Sequence, residues 1–158
     1  VTIQKSLDVA LDNLRDVLGA GGYADNAADV EPYSVDWRKL YRGATPFVAK
    51  PDTVERVAAV MRICAEHGIG VVPHGGNTGY CGGATPRENG REIVLSLARL
   101  NRIREVDPDG YSITVDAGCT LEAVQLAAAE VDRLFPLSLA SEGSAQIGGN
   151  LSTNAGGT

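Results

Sequence analysis

The stretch Val71-Val72-Pro73-His74-Gly75-Gly76-Asn77-Thr78-Gly79-Tyr80-Cys81-Gly82-Gly83-Ala84 decides how the rest of this chain is read. An apolar, strand-like run ends in a proline, and five of the nine residues 75–83 are glycine. Glycine lets a ligand approach bare backbone, although ordering it carries a high conformational-entropy cost. Successive N–H groups in such turns form concave nests that bind anions, phosphate above all. The stretch therefore predicts a phosphate-cradling loop at the end of a buried strand.

Two other phosphate loops are excluded. A Walker-type loop needs a lysine that reaches the β/γ-phosphates, and no lysine follows Lys50. A Rossmann fingerprint opens directly into a helix whose N-terminus holds the pyrophosphate. Here Gly79 is followed by Tyr80, Cys81, two more glycines and, soon after, Pro86. Backbone amides, with Asn77 and Thr78, are left to do the binding.

Working outward, Gly70 to Pro73 reads as the strand feeding the loop, and Ile93 to Leu97 as the next one. Upstream, Val54 to His67 predicts a helix with Val57, Val60, Met61 and Cys64 on its apolar stripe and Gly68 as its stop. Asp52 and Glu55 have the spacing of a capping box. His67 falls in the last turn, where an imidazolium favours the dipole. Phe47-Val48-Ala49 is a short strand, and Ser6 to Leu18 an amphipathic helix carrying Leu7, Leu11, Leu14 and Leu18. Residues 20–46 read as an irregular polar loop anchored by Trp37, the chain's one tryptophan.

Downstream, Ile103 to Val106 and Tyr111 to Ala117 read as hairpin partners around the turn signal Pro108-Asp109-Gly110. Thr120 opens a helix from Leu121 to about Val131. The chain then enters a second small-residue tract, 141–158, which is read as ordered loop with no closing strand or helix. Beginning at Val1 and stopping within that tract, it is expected to be a piece of a longer protein.

The chain has 158 residues, enough for a real core. Its net charge of −6 argues against a nucleic-acid binder, which usually carries a basic patch. Cys64, Cys81 and Cys119 lack any metal-like or disulfide spacing and predict reduced thiols. No apolar run nears the ~20 residues of a membrane span. These features lead to the expectation of a cytoplasmic protein, with an organelle matrix as the other compartment considered.

The order strand, Pro73-x-Gly75-Gly76-x-Thr78-Gly79, Gly82-Gly83, strand resembles the pyrophosphate loop of the vanillyl-alcohol oxidase and p-cresol methylhydroxylase flavoproteins. Pro51-x-Thr53-x-Glu55-x-Val57 is similar to the start of that family's first α/β unit. Val115-Asp116-Ala117-Gly118 with Leu121-Glu122 is similar to its Val-x-Ala-Gly-x-x-Leu stretch. Gly143-Ser144, Gly148-Gly149-Asn150 and Thr153-Asn154-Ala155-Gly156-Gly157 resemble its second FAD-contacting tract. The resemblance covers roughly residues 45–158. His74 to Gly79, Trp37-Arg38 and Phe135-Pro136-Leu137 look most like the D-2-hydroxy-acid dehydrogenases, which include D-lactate, glycolate and D-2-hydroxyglutarate enzymes.

The resemblance implies an α+β fold: a two-lobed FAD-binding domain of the p-cresol methylhydroxylase type, its second lobe incomplete at the C-terminus. Residues 1–45 would form a helix and covering loop, 46–106 the first lobe, and 107–158 the start of the second. A C-terminal substrate domain, absent from this sequence, would bind a small hydroxy acid and carry the catalytic base, so no catalytic residue or metal ligand is assigned here. By the same resemblance, Gly75, Gly76, Asn77, Thr78 and Gly79 would contact the FAD pyrophosphate, with Gly83 and Ala84 completing the loop. Gly143, Ser144, Gly149, Asn150 and Thr153 would lie along the flavin and ribityl portions. Some members bond the flavin to a loop histidine; the matching position is Asn77, so FAD is expected to be held noncovalently. The implied activity is oxidation of a D-2-hydroxy acid. A non-catalytic flavin-binding fragment, or a sugar or aromatic-alcohol oxidase of the same superfamily, are the alternatives.

Overall fold

The computed structural model describes residues 2–157, with side chains from residue 6 onward. Val1 and Thr158, which begin and end the expected segments, lie outside the described residues. In chain order the elements are α1 (Thr2–Leu18), β1 (Tyr23–Ala24), α2 (Ala27–Val30), β2 (Val48–Ala49), α3 (Val54–His67), β3 (Gly70–His74) and β4 (Glu92–Ser96). They continue with β5 (Ile103–Asp107), β6 (Ser112–Val115), α4 (Leu121–Ala129) and α5 (Ile147–Ser152). The chain divides into two compact units: residues up to His74 together with Gly79–Ser96, and Gly75–Thr78 together with the residues from Leu97 onward.

The first unit is built on a sheet of order β1-β2-β4-β3. β4 pairs parallel to β2 and to β3, with Val72 opposite Val94, and β1 closes the other edge antiparallel to β2. Ile93, Val94, Leu95 and Ser96 are all buried, as expected of an inner parallel strand covered on both faces. Val48, Val72 and Val94 form a cluster with Ala24 and Val30, backed by Tyr33. α3 packs against α1 and β3, and this turns its buried face to Ala59, Val60, Ile63 and Cys64. Met61, expected on that stripe, is exposed.

Both ends of α3 follow local chemistry. Gly68 adopts the left-handed conformation (φ 65°) that terminates helices. The N-cap is Thr53, whose side chain accepts from Arg56 N, and not Asp52 as the capping-box spacing suggests. Asp52 instead pairs with Arg56 across one turn at 2.6 Å. His67 is engaged with Ser6 of α1, Nδ1 to Oγ 3.1 Å.

Residues 20–46 are more structured than their composition predicts, holding β1, α2 and a 3₁₀ turn over Glu31–Tyr33. Asn26 caps α2 by accepting from Asp29 N. The anchor of the following loop is Asp36 and not Trp37. Asp36 is buried and accepts from Tyr41 N at 2.7 Å and Arg38 N at 3.2 Å. The Tyr41 amide bond is the main reason its carboxyl sits below the usual range, against the opposing effect of burial. Trp37 is 54% exposed.

The second unit rests on the β5–β6 hairpin and α4. Thr120 caps α4 through Ala123 N. Cys119, Leu121, Val124 and Ile147 form the core, flanked by Ile103, Ile113, Val115, Phe135, Leu137 and Leu139. Beneath it Asp116 is buried, accepting from Arg104 Nε at 2.6 Å and Arg102 N at 3.2 Å. Burial pushes its carboxyl upward, but Arg104 and Arg102 together outweigh that and hold it below the usual range.

The second small-residue tract contains α5, where only loop was expected. Two glycines make it a poor helix by propensity. It forms because the tract is stitched to the β6–α4 turn: Leu121 N donates to Ala145 O, Ile147 N to Cys119 O and Gly148 N to Ala117 O, at 2.8–2.9 Å.

Candidate cofactor site

The glycine-rich stretch is shared between the two units. Gly75, Gly76, Asn77 and Thr78 belong to the second, whereas Gly79, Gly83 and Ala84 belong to the first. Among the second-tract residues, Gly143, Ser144, Gly149, Asn150 and Thr153 all lie in the second unit.

Within that unit the two tracts meet through bare backbone. A Cβ on Gly76 would run into the carbonyl of Ser144, and one on Gly75 would lie 3.4 Å from Gln146 Oε1. Glycine at 76 is thus a steric requirement of bringing residues 144–146 against the loop. The chain reverses at Asn77 (φ 54°), a conformation that asparagine enters more readily than most side chains.

The other limb of the loop is held by side chains of the 36–42 segment, within the first unit. Arg38 Nη2 donates to Tyr80 O at 2.8 Å, and its guanidinium stands 5.0 Å from the Tyr80 ring centre. Trp37 meets the same ring edge-on, centroids 5.7 Å apart. Gly82 is left-handed (φ 69°) with the Tyr41 ring beside it. His74, at the end of β3, is buried with its ring 4.9 Å from that of Tyr33.

Several site residues leave room or bonding capacity for a ligand. Among the described residues, and apart from the adjoining chain and the backbone of α5 itself, no atom comes within 4 Å of a Cβ placed on Gly79, Gly83 or Gly149. Asn150 is 8% exposed, yet its Nδ2 has no acceptor among the described residues. Gln146 Oε1 is likewise buried without a donor. Buried polar atoms are nearly always paired, so these two mark a place where another molecule completes the bonding. Thr153 is less available than expected, since its hydroxyl donates to Gly149 O at 2.8 Å. Sequence reasoning passed over Gln146, although it stands inside the second tract; its signal is a long amide among residues otherwise small or apolar.

The thiols divide clearly. Cys64 and Cys119 are buried and Cys81 is exposed on the loop. Burial pushes the Cys64 thiol up to about 11 and raises that of Cys119 as well.

Within the second unit, a glycine-rich limb at Gly75–Thr78 packed against a second tract that carries an open glycine and unpaired amide groups suits a phosphate-bearing organic cofactor. The chain matches the FAD binding domain family over residues 45–158, and it belongs to that family. FAD is accordingly its cofactor, and the orphaned amides and open glycines suit it. The chain is 40% identical over 129 residues to a mitochondrial D-2-hydroxyglutarate dehydrogenase from Bos taurus, covering 82% of this chain and 23% of the relative. It is 45% identical over 130 residues to a D-2-hydroxyglutarate dehydrogenase from Xanthomonas citri pv. viticola, covering 82% and 27%. Its fold is similar to that of p-cresol methylhydroxylase (TM-score 0.78, 25% identity, 94% of this chain and 29% of that one). The chain therefore spans about a quarter of the length of the curated relatives it matches.

The expected α+β architecture of the p-cresol methylhydroxylase type agrees with this likeness. The expected cytoplasmic location does not stand: the relatives from Bos taurus, Danio rerio and Rattus norvegicus are all named as mitochondrial. Among the described residues no helix is long and apolar enough to cross a membrane.

Proposed function

We propose that this chain is the FAD-holding part of a dehydrogenase that oxidises a D-2-hydroxy acid to the 2-oxo acid. The observation that carries the reading is the 40–45% identity to D-2-hydroxyglutarate dehydrogenases across 82% of the chain. When bound, FAD supplies the two-electron acceptor for the hydride leaving the substrate's α-carbon, since cofactors bring such chemistry and the protein brings position and electrostatics.

The roles proposed for this chain's residues are binding and orientation. Backbone amides of Gly75, Gly76, Asn77, Thr78 and Gly79 cradle the pyrophosphate, with Gly83 and Ala84 completing that limb. Gly143, Ser144, Gly149, Asn150 and Thr153 line the flavin and ribityl portions. Asn77 offers an amide in place of a nucleophilic ring nitrogen, and this favours a noncovalent flavin. The division into a covering segment (1–45), a first lobe (46–106) and the start of a second lobe (107–158) belongs to the same proposal. So does a further domain that binds the substrate and supplies the catalytic base.

The test uses the full-length protein. It is expected to purify with the visible absorption band of a flavin that denaturation releases into solution. Anaerobic addition of D-2-hydroxyglutarate, D-lactate or glycolate should bleach that band, and the L-enantiomers of the chiral acids should not. A flavin-loaded protein that none of these acids reduces, but a sugar or an aromatic alcohol does, would overturn the substrate assignment.

A further inference from the structure

Helix α3 turns Ala59, Val60, Ile63 and Cys64 inward. A different set of apolar residues faces out. Val54, Ala58, Met61 and Ala65 are all exposed, Val54 at 53% and Met61 at 45%. Their spacing of four, three and four residues is that of the seam along which two helices pack. A single exposed apolar side chain is ordinary; four in register along one helix make a packing face.

That face is complementary to itself. Let two copies of α3 lie antiparallel about a twofold axis between Ala58 and Met61. Ala58 then meets Met61 across the axis, and Val54 meets Ala65. Each layer sets a larger side chain on a small one, so the helices can approach to about 8 Å. A parallel pair would instead stack Met61 on Met61 and Ala58 on Ala58, alternately crowded and empty. The charges beside the seam agree with the antiparallel register. Glu55 follows Val54 and Arg62 follows Met61, and both are exposed. The twofold axis brings Glu55 of each copy to Arg62 of the other, giving two opposite-charge contacts.

We infer that this face of α3 is a self-association surface whose partner is a second copy of the chain, bound antiparallel. The inference is independent of the cofactor reading. A helix of 14 residues is about 21 Å long. The pair therefore buries less than a permanent interface does, and the dimer should be weak, with a Kd of about 10 μM.

Sedimentation velocity of the full-length protein across a concentration series tests this. The unaltered protein should pass from monomer to dimer between about 1 and 100 μM. Met61→Glu puts a charge into the seam and should weaken dimerisation by more than about tenfold. Met61 is exposed in the single chain, so the monomeric variant should keep the unaltered unfolding midpoint. Arg62→Glu opposes like charges at both flanking contacts and should weaken dimerisation by about tenfold at low salt. Adding Glu55→Arg to it exchanges the charges and should restore the Kd to within about threefold.

A full-length protein that stays monomeric throughout would overturn the inference, whether solvent or another part of the chain then covers the stripe. Association indifferent to Met61→Glu would do the same, since it would run through another surface. A double exchange no better than Arg62→Glu alone would exclude the antiparallel register.

Discussion

The two glycine tracts have similar compositions but are held in different ways. The limb of the first loop from Gly79 to Ala84 is fixed by side chains: Arg38 on the Tyr80 carbonyl and ring, and Tyr41 beside Gly82. The second tract is fixed by main chain, through the three amide bonds that tie 145–148 to 117–121. Each tract also mixes glycines that are packed shut with glycines that face open space. Gly76 and Gly148 abut Ser144 O and Ala117 respectively, whereas Gly79 and Gly149 abut nothing. Glycine content alone thus hides two roles, close packing of the protein on itself and clearance for something else.

Substitution by alanine should expose those roles most sharply. Gly76→Ala and Gly148→Ala each force a methyl onto neighbouring atoms and should destabilise the protein by about 2–3 kcal/mol in urea unfolding. Gly149→Ala should go the other way. It removes a helix-interior glycine with no steric contact, so stability should hold or rise by up to about 1 kcal/mol, while FAD affinity falls. A Gly149→Ala protein that unfolds as readily as Gly76→Ala would erase the distinction between packed and open glycines.

The main-chain side of the comparison depends on Asp116, which bonds the Arg102 amide and the Arg104 guanidinium under the β6–α4 turn. Asp116→Asn should cost about 1–2 kcal/mol, kept modest because both arginines are largely solvated. The folded carboxyl titrates below its unfolded value near 3.9. Its contribution is therefore complete above that pH and fades as pH falls through the lower folded value. Acid titration of stability should be shallower in Asp116→Asn than in the unaltered protein.

The side-chain clamp should be weaker. Arg38→Ala removes one hydrogen bond and one cation–π contact, worth about 1 kcal/mol together at this exposure. Hydrogen exchange should quicken over 79–84 and stay unchanged over 145–152. Equal loosening of both tracts would mean that they are not held independently. The smallest effect is chemical: a thiol reagent should label Cys81 quickly and Cys64 and Cys119 only on unfolding, because burial keeps both protonated.

Much of this was legible in the residues. The apolar runs at 70–73 and 93–97 and the Gly68 stop located β3, β4 and the end of α3, because those signals are local. α5 was hidden: Ile147-Gly148-Gly149-Asn150 has poor helix propensity, and the bonds that impose the helix come from residues thirty positions away. Asp36 was hidden for a related reason. A buried carboxylate satisfied by backbone amides has the same letter as a solvated one, and the exposed tryptophan beside it drew attention away. The compartment could not be read at all, since composition and cysteine spacing carry no cellular address.

The reliance of α5 on bonds from 117–121 has a consequence for the order of assembly. A six-residue segment with two glycines cannot nucleate a helix alone. It has to wait until the β5–β6 hairpin and α4 have come together and presented the Ala117 and Cys119 carbonyls. The segment carrying Gln146 and Asn150 is then expected to be among the last parts of its unit to fold. In the apoprotein, amides 149–152 should exchange early, and FAD should slow them more than those of the hairpin. The cofactor would act as the final fastening of the chain that receives it.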